Sequence, residues 1–179
     1  MQGPQCAGVL LGRKDLIDAA LKNYNPNEGA ICRAMKVGKE EIIGMLTAIE
    51  TWKHLDLASL TREWNSRVQR IAKLVETVPG VSTKIYIPDD GNSYPTLKVN
   101  WDEKAFKLTV EECDSQLRAG EPRIEVLTNN NPSMVHGVEE GGGGGKNQME
   151  IVSMTLQDGE DLIVGRRLRE ILSSARSRA

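Results

Sequence analysis

Aromatic residues make up only 4% of this 179-residue chain, with a single phenylalanine, so its core is read as mainly aliphatic. Cysteine is also sparse. Cys6, Cys32 and Cys113 form an odd set without Cys-x-x-Cys spacing. That argues against a disulfide framework or a zinc site, and it points to a reducing, cytoplasmic setting. Neither sign of charge dominates, because the formal net charge is −2. No global pull toward nucleic acid or an anionic membrane follows. No apolar run approaches the ~20 residues of a membrane helix. The opening Met1-Gln2-Gly3-Pro4 lacks the basic and apolar regions of a secretory signal, so export is not expected. The common catalytic spellings GxSxG, HExxH, GxGxxG and the P-loop are missing too. What remains, 39% hydrophobic and 27% charged residues, is the composition of an ordinary globular protein.

The first unusual feature present is Ala7 to Leu11, a continuous apolar run closed by Gly12. Such a run suits a strand buried on both faces of a parallel sheet. No second run of this kind follows, so the run reads as the tail of a longer protein's sheet. An edge strand in a small mixed sheet is the alternative. Asp15 to Tyr24 reads as a helix, residues 23–30 as a loop, and Lys39 to Leu55 as a second helix. Glu40 and Glu41 lie in its first turn, where the helix dipole favours acids. A long helix over 56–78 follows, with Leu57, Leu60, Trp64, Val68, Ile71, Val75 and Val78 in one stripe. Pro79-Gly80 stops it. The helix is long enough to connect two domains.

The period then changes to two. Val81, Thr83, Ile85 and Ile87 form one strand, and Leu97, Val99 and Trp101 another, joined through residues 88–95. Thr109-x-x-Glu112 is a capping box that opens a helix with Val110, Cys113 and Leu117 on its buried side. Gly120 stands at the C′ position. Ile124 and Val126 mark a third strand, and Met149 to Leu156 a fourth. Residues 129–148 read as a loop whose Gly141 to Gly145 form a flexible tip. Asp158 is read as the cap of a last helix running to about Arg176, with Val164, Leu168, Ile171, Leu172 and Ala175 buried. Alternating strands and two amphipathic helices suggest one open antiparallel sheet covered on one face by helices, an α+β layer.

Few residues suggest chemistry, and each also has a plainer reading. His54 near a helix end reads as a capping residue, and His136 as a solvated loop histidine. Arg166, Arg167, Arg169, Arg176 and Arg178 could meet RNA phosphates, or could be the solvated face of an amphipathic helix without interleaved aromatics. Arg33, Lys36 and Lys39 recur at three-residue steps beside a helix N-terminus. That is a candidate site for a carboxylate or phosphate, or three solvated cations.

Three blocks carry a resemblance. Gly3-Pro4-Gln5, then Ala7 through Leu16, resembles the stretch just after the cofactor lysine of bacterial selenocysteine synthase, the L-seryl-tRNA(Sec) selenium transferase. The similarity is to a selenocysteine-synthase-like group of pyridoxal 5′-phosphate (PLP) enzymes that includes some amino-sugar acid ammonia-lyases. Residues 33–41, Arg-Ala-Met-Lys-Val-Gly-Lys-Glu-Glu, resemble the next shared block. Residues 158–161 with 165–169 resemble the group's last helix.

The resemblance implies the C-terminal part of a fold-type-I PLP-dependent transferase of the aspartate aminotransferase superfamily, α/β followed by α+β. Residues 1–55 would be a remnant of the large cofactor domain, 56–80 the connecting helix, and 81–179 the small domain. Gly3, Pro4 and Gln5 would belong to the loop beside the cofactor. Arg33 and Lys36 would bind an anionic substrate group, and Arg123 would contact a substrate carboxylate. Lys36 stands where the selenium transferases commonly have arginine, so a bidentate fork is lost. The Schiff-base lysine of the family precedes the Gly-Pro-Gln block, upstream of Met1. No residue here is therefore assigned a catalytic role, and the chain alone is expected to be inactive. Transfer or elimination at Cβ of a serine-like or amino-sugar-acid substrate is the implied parent activity. A homodimer or higher homo-oligomer is implied, and tRNA binding is not. The contrasting reading is a non-catalytic folding or interaction module.

Overall fold

The computed structural model describes residues 3–24, 29–87, 93–128 and 148–178. They fall into two compact units, one ending at Asp56 and one beginning at Leu57.

The first unit contains helix α1 (Lys14–Lys22), a short 3-10 turn (Arg33–Met35) and helix α2 (Lys39–Lys53). α1 starts with Lys14 and Asp18 paired at 2.7 Å one turn apart. α2 carries Glu40 and Glu41 in its first turn and ends on His54, whose backbone N–H donates to the Thr51 carbonyl, while the Leu55 N–H donates to that of Trp52. The expected strand at Ala7 to Leu11 does not form. A strand exists only through a neighbour to hydrogen-bond with. All strands of the described residues lie in the second unit. Leu10 and Leu11 are accordingly exposed, at 68% and 85%.

The second unit opens with helix α3 (Leu57–Val75), followed by strands β1 (Val81–Tyr86) and β2 (Thr96–Trp101). Gly80 lies between α3 and β1 at φ +93°, a left-handed conformation that glycine adopts without a Cβ penalty. A Cβ there would also stand 3.2 Å from the Phe106 ring. Next come a one-turn helix α4 (Glu103–Phe106), helix α5 (Val110–Arg118), strands β3 (Leu127–Thr128) and β4 (Met149–Val152), and helix α6 (Glu160–Arg178). The sheet is antiparallel with order β1-β2-β4-β3. In β1–β2 the register sets Val99 opposite Thr83, and in β2–β4 it sets Lys98 opposite Glu150.

The core lies on one face of this sheet. Leu97, Val99, Met149 and Ile151 pack there with Ile71 and Val75 of α3, Leu117 of α5, and Leu168 and Leu172 of α6. Each such fully buried aliphatic contributes about 2 kcal/mol of burial free energy. α3 and α6 pack side by side. A Cβ on Gly165 would meet Leu74 Cδ1 at 2.7 Å, so the small residue sets their approach.

Local signals of the second unit mostly hold. The Thr109–Glu112 capping box is complete in both directions, and Val110, Cys113 and Leu117 are buried. The third strand differs from expectation. Ile124 and Val126 are buried, but pairing begins only at Leu127. The Ile124 N–H donates to the Leu117 carbonyl at the end of α5 instead of to a strand. β4 stops at Val152, and Leu156 closes a turn onto the Ser153 carbonyl. α6 begins at Glu160, while the Asp158 carboxylate pairs with Arg67 at 2.7 Å. α4 was not expected; Asp102 caps it through the Lys104 and Ala105 N–H groups. Its single turn is too short for a periodic pattern. The glycine run 141–145, His136 and most of the 129–148 loop lie outside the described residues, as does the side chain of Arg178. No helix among the described residues is long and apolar enough to cross a membrane.

Candidate anion-binding site

The basic turn is built on the end of α1. The Cys32 N–H donates to the Asn23 carbonyl at 2.9 Å, and the 3-10 turn closes through Met35 N–H to the Cys32 carbonyl at 3.0 Å. The Tyr24 hydroxyl accepts from the Val37 N–H. These bonds hold Arg33 and Lys36 at the two ends of one short turn, just ahead of α2. Both side chains, and that of Lys39, are exposed.

The N-terminus of α2 is already occupied by the protein's own acids. A Cβ on Gly38 would collide with Glu41 Oε2 and would lie 2.9 Å from Glu40 Oε2. Glu41 Oε2 is buried without a hydrogen-bond partner in the structure. An incoming anion would meet these carboxylates at the helix dipole, where like charges repel. The helix end is therefore not an open anion site, and the cations of the turn itself are Arg33 and Lys36.

Gly3, Pro4 and Gln5 form a turn of the same unit. The Ala7 N–H donates to the Pro4 carbonyl at 3.3 Å, which turns Gln5 and Cys6 outward. Gly3 and Pro4 rest on α2. A Cβ on Gly3 would lie 2.8 Å from Met45 Cε, and a Cβ on Gly44 would lie 2.6 Å from Pro4 Cγ. The Gly-Pro-Gln turn thus rests near the middle of α2, whereas the basic turn is bonded to the end of α1 and precedes the start of α2.

Arg123 belongs to the second unit. Its Nε donates to Glu125 Oε1 at 2.7 Å, Glu125 also pairs with Arg118 at 3.2 Å, and Arg118 pairs with Asp114 at 3.0 Å. Its charge is thus matched within an exposed cluster. Two of the C-terminal arginines are also engaged. Arg176 lies over the Phe106 ring at 5.5 Å, and Arg167 pairs with Glu170 at 3.5 Å.

Sequence reasoning missed Tyr24 and Gly44, the two residues that attach these turns. A glycine inside a helical pattern was the available signal for Gly44. It also missed a polar cluster on the helix-free face of the sheet. Glu150, 7% exposed, accepts from the Tyr86 hydroxyl at 3.0 Å and pairs with Lys98 at 3.5 Å. Lys98 lies 4.4 Å from the Tyr86 ring centroid. Burial, with the Glu150 charge, pushes the Tyr86 phenol well above its usual range.

No protein-family model matches the chain. Two characterised relatives do. The chain is 28% identical over 173 residues to a 5′-C-glycyluridine monooxygenase-decarboxylase of a Streptomyces species, covering 96% of this chain and 39% of that protein. It is 25% identical over 169 residues to the D-glucosaminate-6-phosphate ammonia lyase of Salmonella typhimurium, covering 94% and 40%. A solved structure of D-glucosaminate-6-phosphate ammonia-lyase shares the fold, with a TM-score of 0.59 at 24% identity over 92% of this chain and 39% of that one. The chain therefore spans about two fifths of the length of the relatives it matches.

Proposed function

We propose that this chain is the C-terminal part of a PLP-dependent enzyme related to the ammonia-lyases, acting at Cβ of an amino-sugar acid or serine-like substrate. The observation that carries the reading is the match of nearly the whole chain to both relatives. It is joined by the docked Arg33–Lys36 turn, two cations suited to a phosphate or carboxylate. The relatives' names describe different reactions but share one substrate feature, an amino-acid unit carried on a sugar framework.

Every described lysine except Lys98 is exposed, and Lys98 is paired with Glu150. None of them is proposed for the Schiff-base role. The role proposed for this chain is confined to Arg33 and Lys36 binding the substrate anion and the Gly3–Gln5 turn shaping the site. Assembly as a homodimer is part of the same proposal.

The test is ammonia release from a phosphorylated amino-sugar acid, with PLP, by the protein purified from its own cells. Its intact mass is read alongside against the 19.7 kDa of this sequence. From a product heavier than 19.7 kDa, turnover with a KM that rises at least tenfold in an Arg33→Ala, Lys36→Ala double variant, the loss of about 1.4 kcal/mol of binding or more, is the expected outcome. An unchanged KM overturns the anion assignment. No turnover by a product of 19.7 kDa would support the non-catalytic module, for which the self-contained core of the second unit already speaks.

A further inference from the structure

Helix α2 has a glycine where its pattern calls for a side chain, and the structure shows what the gap receives. Pro4 lies over Gly44. A Cβ at position 44 would stand 2.6 Å from Pro4 Cγ and 3.3 Å from its Cδ, yet 4.0 Å from its Cβ. Real Cβ atoms do not tolerate the first distance, whereas the last is ordinary contact. Directly beside it, Gly3 faces Met45 and Ala48, where a Cβ would lie 2.8 Å from Met45 Cε and 3.4 Å from Ala48 Cβ. Ala48 is the only buried hydrophobic residue among the described residues of the first unit. The seat is therefore made by three small residues, Gly3, Gly44 and Ala48, with the proline ring as the inserted group.

We infer that Gly44 is a positioning residue: its missing side chain seats the Gly3–Gln5 turn on α2 and so fixes that turn relative to the start of the helix, which follows directly on the Arg33–Lys36 turn. Six residues separate Gly38, at the helix start, from Gly44, an axial spacing of ~9 Å. A rigid helix holds that spacing. Helix propensity alone would favour alanine at position 44, so glycine there is explained by the proline ring. The importance of the spacing rests on the reading of both turns as parts of one site. The seating itself does not.

The test uses the full chain carrying ¹³C-methyl methionine. Met45 reports the seat and Met35, inside the basic turn, reports anion binding. In the native chain the Met45 methyl shows a nuclear Overhauser contact to the Gly3 Hα protons. Gly44→Ala is expected to abolish that contact. Adding Pro4→Ala removes the two ring atoms in the way and is expected to restore it, a rescue that a general loss of helix would not permit. Retention of the contact in Gly44→Ala overturns the inference, and so does loss without rescue. Titration with inorganic phosphate is followed on Met35 in the same samples. A silent Met35 beside a Met45 that behaves as expected would remove the anion reading and leave the seating intact. The reverse pattern would remove the seating alone.

Discussion

Arg70 donates through Nε to the carboxylate of Asp161, a residue only 1% exposed. This bond ties α3 to the first turn of α6. The rest of the Arg70 guanidinium is used on Ser66 Oγ at 2.6 Å and Glu63 at 3.2 Å. Asp161 is one of the acids that made the 158–161 block resemble the last helix of a known enzyme group. In this fold its role is to join two helices of the core.

Removing one partner should therefore be costly. Arg70→Ala leaves the buried Asp161 carboxylate without its donor and is expected to destabilise the second unit by about 2 kcal/mol. Asp158, paired with Arg67 but 98% exposed, is the control. Asp158→Ala is expected to cost under about 1 kcal/mol, because an exposed pair is screened. Urea unfolding followed by circular dichroism separates the two. Equal costs would contradict the burial argument.

Tyr86→Phe removes the phenol that donates to Glu150 at 3.0 Å. Glu150 keeps Lys98 at 3.5 Å but loses a donor in a buried position, with an expected cost of about 1–2 kcal/mol. Spectrophotometric titration of the native protein should also lose its highest-pH tyrosine component in this variant, since burial raises the Tyr86 phenol. A titration curve of unchanged shape would show that Tyr86 is not the desolvated tyrosine.

Stability should fall in alkali for a definite reason. Burial pushes the Cys113 thiol from an ordinary 9.0 up to about 12. A raised folded-state value means that the unfolded chain loses its proton first. The contribution is fully present below about pH 9 and is lost as pH rises toward 12. Tyr86 shifts in the same direction. The unfolding midpoint in urea, measured from pH 8 upward, should decline more steeply in the native chain than in Cys113→Ala. Parallel declines would refute the assignment. Cys6 is exposed while Cys113 is buried, so a thiol reagent should label Cys6 in the native state and Cys113 only on unfolding.

Much of the second unit was legible without coordinates, because its signals are local. Thr109 and Glu112 satisfy each other's backbone across three residues, and alternation along 81–87 and 97–101 assigns the two longest strands. The first unit was less legible. A run such as Ala7 to Leu11 has the composition of a buried strand, but strand formation depends on a neighbouring chain segment, and a sequence does not display its neighbours. The candidate site divides in the same way. The spacing of Arg33, Lys36 and Lys39 was visible, whereas the occupation of the α2 N-terminus by Glu40 and Glu41 was not. Acids in a first turn look like ordinary dipole partners until their carboxylates are placed.

The sequence by itself determined the aliphatic core, the helix stripes, the cap at Thr109 and the two basic residues of the 33–36 turn, because each depends on residues within one turn or one strand. Tertiary structure alone decided that Pro4 fills the gap at Gly44, that Asp161 is the partner of Arg70, and that Glu150 is buried beneath Tyr86 and Lys98. Those contacts join residues 40, 91 and 64 positions apart. They are set by how helices and strands pack, which periodicity along the chain does not encode.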